Sequence, residues 1–496
     1  MFDSSMHRRA FAPLLSLISL AASAPQLLAQ QATPTPTPTP APSIFSAATI
    51  ADLKRVRDAA LNSDYAWRQT AHLSNNIGPR LSGSAQGRKA EEYVASELKK
   101  LGLEVRLEKV MVPHWVRGEE TAALVQWPGQ AVDTTQKIVL TALGGSVATP
   151  PEGITADVVV VNNFDELQSL GREKVAGKIV VFNHRFDKAM AAQGRAGDAY
   201  GQAVVYRGNA PSAAARLGAV ASLIRSVGSA EYRLVHTGQT RYADDAPKIP
   251  AGAVAAEDAE LLANLVPQGP VRMRLVLTPQ QLPDAEAFNV IGDLKGSTNP
   301  EQVVIVSGHL DSWDLGTGAI DDASGVAVAM QTANIVKQLK LTPRRTIRVV
   351  AWANEENGLR GARGYAEVHA GETQNHVAAI EMDGGAGHPI GINISGKPEV
   401  KELLKPVATV LQEIGAGALD FVEGAGADIG PLEKTGVPGF SPMADSRTYF
   451  HYHHTPADTL DKIVPRELAE NAAVLSVLTY ALANSEQPLP RSSPAP

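Results

Sequence analysis

Apolar positions recur at helical spacing through residues 47–103. Ala90, Tyr93, Val94, Leu98 and Leu101 form one stripe, with Ser84 placed to cap its start and Gly102 to close its end. Strand-like runs follow, the segment 105–112 among them. Between about 119 and 281 the texture changes. Short β-rich runs at 156–161, 177–182, 202–206 and 271–277 alternate with glycine and proline breaks and one Ala-rich helix at 212–217. This predicts an inserted domain spanning 119–281, and no ionisable pair within it has metal-ligand spacing. From Phe288 onward strands alternate with helices, as in an α/β fold. Segments 302–307, 346–353 and 377–382 are apolar and β-branched enough to be buried strands, while 323–339, 400–414 and 466–483 carry helical stripes. No repeat of solenoid period is present.

The ends read differently. His7, Arg8 and Arg9 precede an apolar run from Ala10 to Ala24, and small residues follow before Gln30. That is the order of a secretory signal peptide over residues 1–29, too short for a permanent membrane span. Residues 33–42 read TPTPTPTPAP, so 30–46 is expected to be an extended spacer. Residues 487–496 are proline-rich and expected to be a disordered tail. The chain is thus expected to be exported, to periplasm or medium, with no membrane span in its mature form.

Composition narrows the chemistry. The chain has 496 residues, 45 Lys+Arg against 52 Asp+Glu, a formal net charge of −7 and no cysteine. A net negative charge argues against a bulk grip on nucleic acid. The lack of cysteine removes disulfides, thiolate metal sites and cysteine nucleophiles together. A transition metal here must be held by His, Asp and Glu.

Such residues collect where strands end. His309 and Asp311 follow the first buried strand, Glu355 and Glu356 the second, and Asp383 the third, while Asp321 and Asp322 open the helix after the first. The carboxyl ends of strands line the ligand crevice of open α/β sheets. So many charges would repel one another unless a cation offset them, which points to a dinuclear metal site. Zinc accepts imidazole nitrogen and carboxylate oxygen, and two metals sharing one carboxylate can activate a water. A further carboxylate must then carry the proton to the leaving amine. Adjacent Glu355 and Glu356 can divide these two jobs. Asp311 is placed to hydrogen-bond the His309 imidazole and fix its tautomer. Taken singly these signals are bland: a His-x-Asp is usually a surface pair, and an Asp-Asp before a helix usually a cap. Their joint arrival at successive strand ends is what carries the metal reading. A later segment, residues 449–459, holds His451, His453 and His454 among aromatic residues, and its chemistry alone does not choose between the three.

The runs SGHLDSWD at 307–314 and GAIDDASG at 318–325, with Glu355-Glu356, IGPRLSGS at 77–84 and HTPADT at 454–459, resemble the co-catalytic zinc aminopeptidases. The similarity extends over nearly the whole folded chain. It implies a mixed, mostly parallel sheet flanked by helices, formed by 47–118 and 282–486, with 119–281 resembling a β-rich protease-associated domain that covers the cleft. It implies two zinc ions per chain, His309 and Asp383 holding one, Glu356 and His454 the other, and Asp321 bridging them. Glu355 would be the general base, Asp311 and Asp322 supporting residues, and the Asp321–Asp322 peptide cis. The histidine directly before Thr-x-x-Asp-Thr is the ligand in this pattern, which selects His454 over His453. Animal relatives carry cysteines that this chain lacks, so their disulfides do not transfer. The implied activity is a secreted metallo-exopeptidase acting on dipeptides or short peptides. Related folds also include single-zinc glutaminyl cyclases and non-catalytic receptors such as the transferrin receptor. A homodimer is implied only by analogy, and specificity among aminopeptidase, dipeptidase and carboxypeptidase is open.

Overall fold

The computed structural model describes residues 43–493. The expected signal peptide, most of the expected spacer and the last residues of the tail lie outside the described residues.

One eight-stranded sheet carries the site. Its order is Glu104–Val116, Gln280–Leu294, Arg345–Trp352, Asn299–His309, His376–Glu381, Gly439–Ala444, Pro389–Ser395 and Ala418–Phe421. The strands Arg345–Trp352, Asn299–His309, His376–Glu381 and Gly439–Ala444 run parallel, and antiparallel pairings join Gln280–Leu294 and Pro389–Ser395 to them. The fold is therefore α/β with a mixed sheet, parallel at its centre. Unbroken apolar runs produce this because the central strands are covered on both faces. Val304 and Val306 join the helices Ala47–Leu61, Ala85–Lys100, Ser324–Gln338 and Pro465–Asn484 in one core, while Val303 and Ile305 pack with Val350, Trp352 and Tyr365 in another. Alternation along one strand thus feeds two cores. The register pairs His309 with Trp352 and Ser307 with Glu381, so three strand ends finish level.

The capping signals act as read. The Ser84 side chain accepts the Gly87 N–H, and Gly102 follows the helix at φ 78°.

A second eight-stranded sheet draws all its strands from residues 120–277. One run there departs from expectation. Residues 202–206 are not a strand; they lie inside the helix Ala196–Arg216, which also absorbs the expected short helix at 212–217. Val204 and Val205 look strand-like, but Ala199, Ala203, Tyr206, Ala210 and Ala214 recur at three- and four-residue spacing and are buried on one face. Packing of that stripe overrides the local β preference. The expected helix at 400–414 is two, Glu399–Leu403 and Lys405–Gln412, because Pro406 has no N–H to continue the ladder.

The chain ends also depart. Within the expected spacer Phe45 is buried and Ser46 caps the first helix. Residues 487–493 are not a loose tail: Leu489 is buried, and Arg491 donates to the carbonyls of Thr373, His376 and Thr435. A proline-rich segment forms no ladder of its own, yet its side chains can still dock on a finished body. Among the described residues no helix is long and apolar enough to cross a membrane.

Candidate metal centre

The level strand ends bring His309, Glu355, Glu356 and Asp383 together, and the irregular turn Ala319–Ala323 swings Asp321 between them. Two clusters share that residue: His309, Asp321 and Asp383 form one, and Asp321, Glu356 and His454 the other. His309 Nε2 lies 2.9 Å from Asp321 Oδ1 and 3.3 Å from Asp383 Oδ1. His454 Nε2 lies 2.9 Å from Glu356 Oε2 and 3.2 Å from Asp321 Oδ2. The Asp321–Asp322 peptide is cis.

The supporting contacts differ in part from expectation. His309 Nδ1 donates to the main-chain carbonyl of Asp311 at 2.9 Å, leaving Nε2 facing the carboxylates, whereas the Asp311 carboxylate stands 3.9 Å away. That carboxylate serves the glutamates instead. It accepts the Glu355 N–H at 3.0 Å, the Glu356 N–H at 3.4 Å and the Ser82 hydroxyl at 2.9 Å. Asp311 thus fixes the imidazole tautomer through its backbone and the Glu355–Glu356 turn through its side chain. Asp322 is fully buried and accepts the N–H groups of His309 and Gly325 at 3.1 and 2.8 Å, tying strand end to helix start.

Burial raises the carboxyl groups of Asp383 and Glu356 above the ordinary carboxylate range, and raises Glu355 well above it. At Glu355 the His309 charge opposes burial, and the charges of Asp383, Glu356 and Asp311 reinforce it. Burial would also raise Asp321, but His453, His309 and His454 outweigh it and hold that group well below the ordinary range. Burial would lower His309, yet Asp383 and Asp321 keep it well above the usual imidazole value.

Two atoms test whether a metal fits. Glu356 Oε1 is buried with no hydrogen-bond partner. Asp321 Oδ2 is buried and accepts no well-directed hydrogen bond, although the His454 and His453 rings stand 3.2 and 3.3 Å from it. An uncompensated buried carboxylate oxygen is costly, and a cation removes the cost. Imidazole nitrogens and carboxylate oxygens are the donor set zinc accepts. The residues fit the metal.

His454 occupies left-handed backbone at φ 58°, a strained conformation for a non-glycine residue. The turn stacks the His453 and His454 rings 3.7 Å apart. His453 Nε2 also comes within 3.3 Å of Asp321 Oδ2, but its Nδ1 is 3.1 Å from His236 Nε2, and only His454 clusters with Glu356. His451 belongs to neither cluster.

Several contributors carried no spacing signal. A cavity of about 620 Å³ opens onto Asp321, Glu355 and Asp383, and its wall includes Tyr200, Arg207, Gln239 and Arg241. His236 and Thr237 touch His453 and His454. The segment 119–281, in which nothing chemical stood out, therefore reaches the site through tertiary contacts. Arg117 fastens the sheets together by a bidentate pair with Asp314 at 2.6 and 2.8 Å. Asp458 accepts the N–H groups of Ile320 and Asp321 at 2.7 and 3.3 Å. Fully buried Arg80 donates to the carbonyls of Gly78, Leu310, Thr317 and Gly318. Both Asp458 and Arg80 stood inside the motif runs without a role.

Comparison with known proteins finds peptidases. Residues 289–479 match the model of peptidase family M28. Over 428 residues the chain is 39% identical to carboxypeptidase Q of Homo sapiens, covering 86% of this chain and 87% of that protein. A crystal structure of a peptidase M28 precursor from Shewanella amazonensis SB2B matches with a TM-score of 0.83 at 35% identity, covering 90% of this chain and 99% of that one. A zinc aminopeptidase from Bacillus subtilis shares the fold, with a TM-score of 0.62 at 21% identity over 85% of this chain and 95% of that one.

Proposed function

Because the chain belongs to peptidase family M28, we propose that it is an exported zinc exopeptidase that cleaves dipeptides or short peptides at a two-zinc centre. The observation that carries this reading is the pair of ligand clusters sharing Asp321, with Glu355 beside them in a cavity of about 620 Å³. His309 and Asp383 would hold one ion, Glu356 and His454 the other, and Asp321 would bridge. Zinc bound there would polarise the scissile carbonyl and make a water more acidic. Export is inferred from the basic, apolar and small-residue order of residues 1–29.

The remaining steps belong to the chain's own residues. Glu355 is half-buried at the cavity wall, with its backbone pinned by Asp311. It takes a proton from water and passes it to the leaving amine nitrogen. Burial favours its protonated form, which suits a group that carries a proton between water and amine. Asp311 and Asp322 hold the groups at their stations without touching substrate. Residues 119–281 are assigned as an inserted, protease-associated-like domain, a reading supported by their separate sheet.

Glu355→Gln tests the assignment. The variant should retain two zinc ions per chain by metal analysis and lose about 100- to 10,000-fold in kcat. Near-normal turnover would remove Glu355 from its role. A stoichiometry of one zinc with cyclisation of N-terminal glutamine would replace the peptidase reading.

A further inference from the structure

The cavity wall also carries guanidinium groups that the proton-transfer chemistry does not use. Arg207, Arg241, Arg360 and Arg363 line it, and none forms an ion pair among the described residues. The carboxylates on the same wall are Asp321, Glu355, Glu356 and Asp383, committed to the metal centre and its base.

Arg207 is the one built into the fold. It sits on the helix Ala196–Arg216 four residues before Pro211, which cannot donate an N–H back to the Arg207 carbonyl. The Thr240 hydroxyl donates to that carbonyl instead, at 2.8 Å, and the Arg241 N–H bonds the Gly208 carbonyl. The proline thus opens the helix where the loop around residues 237–241 locks onto it. Gly238 makes room: at φ 130°, a Cβ there would meet Arg207 Nη1 at 2.3 Å. Tyr200 Oη accepts from Arg207 Nη1 at 2.6 Å and orients the plane. Yet Nε is buried without a partner, and Nη2 makes no hydrogen bond among the described residues. Nη1 is held, Nε is closed off by burial, and Nη2 is left uncommitted.

That uncommitted amino group on a charged guanidinium matches a carboxylate oxygen through a charge-assisted N–H···O bond. Arg207 Nη1 is 3.3 Å from His454 Nδ1, so a single imidazole ring separates the guanidinium from the ligand cluster. In a dipeptide the terminal carboxylate lies one residue beyond the scissile carbonyl, about 3.3 to 3.6 Å along the chain. We propose that Arg207 reads the free C-terminal carboxylate of a dipeptide, and that exposed Arg241, Arg360 and Arg363 form the cationic approach to it. This rests on the peptidase reading of the same site and adds a length rule: a longer peptide puts a neutral amide where the guanidinium wants an anion.

The test uses the zinc-loaded full chain with one dipeptide, its C-terminal amide and the matching tripeptide. Wild-type enzyme should favour the free dipeptide over the amide by about 10- to 100-fold in kcat/KM, the worth of a charge-assisted pair. Arg207→Gln should raise KM for the free dipeptide and collapse the acid-to-amide ratio toward one, at unchanged zinc content. Arg207→Lys, which keeps the charge and loses the guanidinium, should give an intermediate ratio. Equal cleavage of acid and amide by wild-type enzyme would overturn the proposal and leave the peptidase reading standing, as would an unchanged ratio in both variants. Cleavage of none of the three substrates by protein holding two zinc ions would instead sink the peptidase reading, and this proposal with it.

Discussion

Replacing Arg80 with methionine should unfasten the metal centre without touching a ligand. The guanidinium is fully buried and donates to four main-chain carbonyls: Leu310 at 2.8 Å, Gly78 at 3.1 Å, Thr317 at 2.8 Å and Gly318 at 2.9 Å. Three of these lie in the loop that leads from His309 to Asp321. Burial depresses the Arg80 pKa, and the charges of Asp458, Asp311, Asp322 and Asp321 oppose that shift. Methionine keeps most of the stem and removes every donor. At about 1 to 1.5 kcal/mol for each bond lost, Arg80→Met should cost about 4 to 6 kcal/mol of stability. That is a large part of the 5–15 kcal/mol typical of a folded domain. Urea unfolding followed by tryptophan fluorescence gives the cost, and zinc content and kcat/KM report the loop. The midpoint should fall sharply and kcat/KM should drop about 100-fold or more. Arg80→Lys should recover less than half of the loss, because three donors on one nitrogen cannot reach four carbonyls spread around a planar fork. A variant within about 1 kcal/mol of wild type, with normal zinc and activity, would refute the reasoning.

Other perturbations probe different links. A Cβ at position 325 would come 2.1 Å from the Met382 carbonyl and 2.4 Å from Asp322 Oδ2, so Gly325→Ala should destabilise by about 1 to 3 kcal/mol and abolish most activity, checked by thermal melting and turnover. Acid sensitivity should come in part from His376, which accepts from the Tyr365 hydroxyl and donates to the Glu372 carbonyl while burial, with the Arg348 charge, lowers its pKa to about 4. The unfolded chain then binds the extra proton at higher pH, so stability is full above about 6.5 and falls by roughly 3 kcal/mol as pH drops toward 4. His376→Gln should flatten that window in denaturant midpoints measured against pH, and an unaltered slope would assign the sensitivity elsewhere. Stripping metal with a chelator should abolish activity and lower the melting temperature by several degrees, since a ligand at 100 times its Kd contributes about 2.7 kcal/mol; two equivalents of zinc should restore both.

The parts of this molecule legible in its sequence are those whose physics is local. Val303 to Val306 announce a two-sided buried strand because parallel sheets bury both faces, and Ser84 and Gly102 announce helix ends because capping acts over a few residues. His309, Asp321, Glu355, Glu356 and Asp383 could be grouped because strand ends finish together. Asp311 marks where that logic stops. Spacing placed it beside His309, but nothing in the spacing said that its backbone would serve the imidazole and its carboxylate the glutamate turn.

The residues that escaped notice share a different property: their partners are far away in sequence. Arg207 meets His454, and His236 meets His453, across more than two hundred positions. Their own neighbourhoods are unremarkable in composition, and residues 202–206 even suggest the wrong secondary structure. Only the helix stripe from Ala196 to Ala214, opened by Pro211 and clasped by Thr240, turns Arg207 toward the cavity. The division has a physical sense. The metal centre demands several charges at fixed short spacing on rigid strand ends, which leaves a mark in sequence. A specificity wall needs one correctly aimed side chain on a separate sheet, which leaves none. Variants outside the central sheet should therefore separate substrate choice from chemistry, and Arg207 is the position at which that separation is sharpest.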